Sequence, residues 1–162
     1  MQSKYFYFLI LALIGIICLT PIIAQEEPIS LDALGITPFA EDTIVTIDGI
    51  KFNIPKGYGE DNKSAFDNET IVMNNTKHIQ SRHEYKNEDL DTISIVVYHN
   101  ENKSINPLDE LYVGDDYVKK DINGTIGYLD HKDGSYIFRY IKDKNVIVLT
   151  VKDESLLSSI II

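Results

Sequence analysis

Cysteine is nearly absent from this chain: Cys18 is the one thiol in 162 residues, and it lies inside an apolar leader. Cleavage of that leader after Ala24 leaves a body with no cysteine, which removes disulfides, thiolate catalysis and Cys-ligated zinc together. The residue before Cys18 is Ile17, whereas a lipoprotein leader places a small residue before its acylated cysteine. Cys18 therefore reads as an ordinary buried leader side chain. Basic residues are scarce as well, 15 Lys and Arg against 25 Asp and Glu, for a net charge of -10. Only Lys4 among the basic residues precedes Ala24, and every acidic residue follows it, so the body is more acidic still. Such a surface repels phosphate backbones and anionic lipid, which argues against nucleic acid as a partner.

The familiar catalytic spacings are missing too. A zincin needs H-E-x-x-H, but His78 and His83 are five apart in "HIQSRHE", which places them on opposite faces of a strand and off a common helical face. His99 and His131 complete the set, and a cluster formed only in the fold stays open. G-x-S-x-G is absent, and Ser135 follows Asp133-Gly134, where a hairpin turn is the simplest role. The acidic stretches Glu88-Asp89-Asp91 and Asp115-Asp116 lack the spaced oxygen ligands and the glycine of an EF-hand, so they read as solvated loops. No glycine-rich phosphate cradle occurs. The expectation is a chain with no catalytic, cofactor-binding or metal residues, and hence no cofactor.

What the chain does have begins at its start, "MQSKYFYFLILALIGIICLTPIIAQEE". No charged side chain lies between Lys4 and Gln25, and Tyr5 to Leu19 is almost wholly apolar. A basic start, an apolar stretch and Ala24 at a cut point describe a signal peptide. The 20 residues from Tyr5 to Ala24 are also enough to cross a bilayer as a retained anchor. Both readings export residues 25 onward, to the outer face of the cytoplasmic membrane or beyond. The expected division is 1–24 signal peptide or anchor, 25–42 spacer and 43–162 one domain. Five N-x-[ST] sites, at Asn62, Asn68, Asn74, Asn102 and Asn123, are candidate glycosylation acceptors on an exported chain.

Residues 25–42 hold Pro28, Gly35 and Pro38 without a steady period, which suggests a spacer with a short helix near Leu31 to Leu34. "TIVTIDGIKFNIP" sets two β-rich runs around Asp48-Gly49, a tight hairpin with Ile50, Phe52 and Ile54 on one face. Lys56 to Thr76 is polar and predicts loop, with at most an irregular strand near Thr70 to Met73. Ile93 to His99 is apolar on both faces, as a central strand is. "NPLDELYV" predicts a short helix capped by Asn106. Tyr117 to Ile122, Thr125 to Leu129, Tyr136 to Ile141 and Val146 to Val151 are four runs joined by short turns, an antiparallel meander. Beyond Asp153, the stripe Leu156, Leu157, Ile160 and Ile161 predicts a closing helix against the sheet. The expected fold class is α+β: an antiparallel sheet of hairpins packed by a C-terminal helix, behind an N-terminal hydrophobic leader or anchor helix.

The stretches "VTIDGIKFNIPKGY" and "INGTIGYLDHKDGSYIFRYIKDKNVIVLTVKDESLLSSI" resemble uncharacterised small exported proteins of methanogenic archaea. The shared pattern is a G-x-x-F-x-I-P-x-G-Y opening hairpin, an N-G-x-x-G-Y turn and strand, and a late K-D-x-x-x-x-x-x-T. The order of elements is also similar to PsbP-like domains, which implies an antiparallel sheet flanked by helices. The resemblance implies a fold and carries no functional residues.

Tyr136, Phe138 and Tyr140 alternate on one strand face. Core packing is the ordinary use of such a face, and a surface aromatic face for a glycan or other ligand is the alternative. The function expected from the sequence is a non-catalytic binding or interaction domain of the cell envelope. Its partner would be a protein, a glycan or a small apolar ligand, with the membrane added through residues 5–24 if the leader is retained. The alternative is a carrier holding a small apolar ligand between sheet and helix, and an extracellular hydrolase is third.

Overall fold

The computed structural model describes residues 29–73, 76–100 and 117–162. The leader, the "NPLDELYV" segment and the first residues of the spacer lie outside the described residues. Among the described residues, no helix is long and apolar enough to cross a membrane.

The described elements are mostly antiparallel strand, with a small helix at each end. In chain order they are α1 (Leu31–Leu34), β1 (Thr43–Ile47), β2 (Ile50–Ile54), β3 (Gly59–Glu60), β4 (Phe66–Met73), β5 (Thr76–Lys86) and β6 (Thr92–Asn100). After them come β7 (Val118–Ile122), β8 (Thr125–Lys132), β9 (Ser135–Lys142), β10 (Asn145–Val151) and α2 (Ser155–Ile160). The main sheet runs β3-β5-β6-β10-β9-β8-β7, with β4 also on β5, while β1 and β2 form a separate hairpin. The β7 to β10 meander is the one the short turns predict. Its turns, and that between β1 and β2, place two successive residues at positive φ: Asp48-Gly49, Asn123-Gly124, Asp133-Gly134 and Asp143-Lys144. That geometry matches the strand twist and favours Asn, Asp and Gly.

Register explains where the core forms. Val97, Ile147 and Tyr140 lie side by side across β6, β10 and β9, as do Ile95, Leu149 and Phe138. These six side chains point to the same face and are buried. The β1–β2 hairpin contributes Ile50, Phe52 and Ile54, and α2 contributes Leu157 and Ile160, all joined to them in one cluster. Each such side chain is worth ~1.5–3 kcal/mol when withdrawn from water. α2 starts where Asp153 Oδ1 accepts from Ser155 N at 2.9 Å. The opposite sheet face is mixed, with Val96, Val148, Arg139 and Tyr128 in one row.

Three findings differ from the sequence reading. The segment from Leu31 to Phe39 is not a free spacer: Leu31 and Ile36 are buried and Phe39 packs against the core, so these apolar residues bind the segment to the domain. β4 begins at Phe66, earlier than the polar composition suggests, because a register shift between Phe66 and Glu69 lets it bend along β5. β5 itself is 11 residues long and was not anticipated as one strand, since its core side carries the polar Ser81 and His83.

Candidate functional site

The aromatic face divides. Phe138 is 0 % and Tyr140 2 % exposed, with their rings 5.5 Å apart. They are core residues and not a surface platform, because the β1–β2 hairpin and α2 are part of the same buried cluster. Burial pushes the Tyr140 hydroxyl well above its usual range. Tyr136, nearer the strand's start, stays half-buried. It pairs in register with His131, and the two rings stack with centroids 4.3 Å apart and planes 20° from parallel.

That stack stands beside a surface cleft of about 860 Å³. The cleft lies at the end of β8 and β9, where β7 as described begins opposite Leu129 and Asp130, His131 and Lys132 extend beyond it. Val118, Leu129, Tyr136 and Ile137 supply apolar wall, and Asp130, Lys132, Arg139 and Glu154 supply charge of both signs. The Arg139 guanidinium carbon lies 4.9 Å from the centre of the Tyr117 ring, a cation–π contact that orders both. Glu154 is ion-paired with Lys120. His131 and Tyr136 share one face of β8 and β9, whereas Asp130, Lys132, Ile137 and Arg139 alternate to the other, so the cleft is lined from both faces at this end of the sheet and offers aromatic surface on one side and charge of both signs on the other.

The histidines occupy separate environments. His83 lies between two carboxylates, with Nδ1 2.6 Å from Glu60 Oε1 and Nε2 3.0 Å from Asp67 Oδ1. Burial works to lower its pKa, but the hydrogen bonds and charges of Glu60 and Asp67 outweigh it, and the net shift is upward. Nearby, Lys86 Nζ donates to Asp61 Oδ2 at 2.6 Å. That bond, opposed by burial and helped by the Lys63 amide, holds the Asp61 carboxyl below its usual range. His99 Nε2 stands 2.8 Å from Asp48 Oδ2 as an ion-pair contact without hydrogen-bond alignment. His78 is buried and next to Asn100 in the ladder. Among the described residues, no group of three His, Cys, Asp or Glu side chains is arranged to hold a metal ion.

The remaining candidates are also placed. Ser135 opens β9 directly after the Asp133-Gly134 turn. Asp91 accepts from Lys152 Nζ at 2.7 Å, while Asp115 and Asp116 lie outside the described residues. Of the five sequons, Asn62 and Asn68 are exposed, and Asn74 and Asn102 lie outside the described residues. Asn123 is differently engaged: its Nδ2 donates to Ser158 O at 2.6 Å and to Ile161 O at 3.1 Å. A glycan on that nitrogen would remove at least one of these bonds, so Asn123 serves the docked helix.

Glu60, Asp67, Tyr117 and Arg139 escaped the sequence reading. The alternation Ile79, Ser81, His83, Tyr85 was the available signal for β5, and with it for the carboxylates that meet His83. No family model matches the chain, and neither a curated protein nor a solved structure shows significant similarity to it.

Proposed function

We propose that this chain is an exported, non-catalytic binding domain of the cell envelope that takes a glycan in the cleft beside Tyr136. The observation that carries this reading is the His131–Tyr136 stack at the rim of a cleft furnished with Asp130, Lys132 and Arg139. A sugar ring presents an apolar face for such a stack and hydroxyls for the flanking charged groups, so the two halves of the site match the two halves of the ligand. The leader supports export, and the resemblance to small exported archaeal proteins with a PsbP-like sheet agrees with a role outside the cytoplasm. The carrier reading is less well supported, since Phe52, Phe138, Leu157 and Ile160 fill the space between sheet and helix. The hydrolase reading is less well supported among the described residues, where His83 and His99 face carboxylates and His131 faces a tyrosine ring.

The test is calorimetric titration of the full chain with glycans released from the envelope of its own cells. Saturable binding is expected, weakened about two- to tenfold in Tyr136→Ala because a stacking contact is worth ~0.5–1.5 kcal/mol. Absence of binding, or binding indifferent to Tyr136, refutes the reading.

A further inference from the structure

The ladder between β4 and β5 is interrupted between Phe66 and Glu69, where the register shifts and Asn68 adopts φ 56. Backbone pairing is locally lost there, and side chains of β5 take over the attachment. Ser81, 0 % exposed, accepts from the Asn68 amide through Oγ at 3.0 Å. His83, two residues along the same face, reaches Asp67 with Nε2 and Glu60 of β3 with Nδ1. One imidazole thus joins three strands at the sheet's edge.

We propose that His83 is a pH-sensitive clasp, an imidazolium that fastens the β3 and β4 edge segments to β5 and lets the β4 bulge go when it loses its proton. An ionised carboxylate only accepts hydrogen bonds, so two such partners require N–H on both ring nitrogens. Neutral imidazole has one N–H and turns a lone pair toward the other carboxylate. The contact to give way is Asp67, which is longer and whose side chain is 63 % exposed, against 32 % for Glu60. The groups facing the ring are Glu60 from β3, Asp67 from β4 and Tyr85 on its own strand, whose hydroxyl is pushed up by burial and then by those same two carboxylates. β6 presents the apolar Ile95 opposite it. Lys86, on the other face of β5, is taken up by Asp61. No second cation in this set replaces the imidazolium when it is lost.

The direction follows from linkage. The folded-state pKa of His83 lies above the unfolded value of ~6.5, so its stabilisation is complete below that pH and disappears as pH rises through the folded pKa. This is opposite in sign to the Asp61–Lys86 pair beside it, whose depressed carboxyl pKa makes it fail only in acid.

The test is nitrogen-15 NMR of the His83 ring in the full chain, together with amide exchange at Asn68, from about pH 6 to about pH 9. The ring is expected to carry protons on both nitrogens at the acid end. As it titrates, Asn68 should lose protection by at least about tenfold more than in His83→Gln, whose side chain does not change charge. Asp67→Asn should lower the ring's pKa. A ring already neutral near pH 6, or Asn68 exchange with the same pH dependence in wild type and His83→Gln, overturns the proposal. If His83→Gln does not fold, the ring spectrum and the Asp67→Asn shift decide it alone, and a ring pKa unmoved by Asp67→Asn then overturns the clasp.

Discussion

Asn123 does two jobs at one position. It occupies the first positive-φ site of the β7–β8 turn, at φ 52, and its amide holds Ser158 O and Ile161 O at the end of α2. The turn role was legible in the dipeptide Asn123-Gly124, since few residues tolerate that backbone. The clasp role was not, because it joins residues 35 and 38 apart in sequence, and no local pattern records such a meeting. Asn123→Ala removes both bonds and leaves two helix-end carbonyls to water, so the domain should lose about 1–3 kcal/mol, read as a lowered urea midpoint with an unchanged slope. An unchanged midpoint would mean that the sheet holds α2 without Asn123. The same position gives a chemical readout: glycopeptide mass mapping of the native protein should find Asn123 without a glycan, whichever of the other four sequons carries one.

At the level of elements, the hairpins were readable wherever a strong turn signal separated apolar runs, which is why β1, β2 and the β7 to β10 meander follow the sequence reading. β5 was not, because a strand is recognised by an apolar face and this one places Ser81 and His83 where apolar residues are expected. They are there to fasten an interrupted edge. α2 was readable from its stripe, and the structure gives the stripe unequal shares: Leu157 and Ile160 are both 0 % exposed, Ile161 is 3 % exposed and bridged to Phe52, and Leu156 is only partly buried. Ending the chain at Lys152 strips Leu157, Ile160 and Ile161, all buried, at ~1.5–3 kcal/mol each and opens Phe52, to which Ile161 is bridged, to water. Against a total stability of about 5–15 kcal/mol, such a chain should lose its cooperative melting transition or aggregate. A melting curve within a degree or two of the full chain, about what a small surface change produces, would show that α2 does not cover the core.

For the whole molecule, one sheet face is closed by the β1–β2 hairpin and α2, and the proposed glycan site lies at the end of the sheet where β8 extends beyond the described start of β7. The aromatic face Tyr136, Phe138, Tyr140 was visible in the sequence as a period of two. Its division into two core residues and one half-buried residue depends on how far the covering layer extends, and that is a property of the assembled fold. Export is a separate claim at this scale: a reporter fused after Ile162 should face outward, and a cytoplasmic reporter would contradict the leader argument. The acidic body is consistent with a glycan ligand and unfavourable for polyanions, so binding should weaken little with salt if stacking dominates.

We propose that a glycan is bound, without being cleaved, at the His131–Tyr136 stack. The most direct test is aromatic-ring NMR of the full chain titrated with envelope glycans, followed by the mass of the recovered glycan. Saturable shifts concentrated on Tyr136 and His131 are expected, with little change at the buried Phe138 and Tyr140 and a glycan of unaltered mass. Rings at 131 and 136 that do not respond, or a glycan returned shortened, would contradict it.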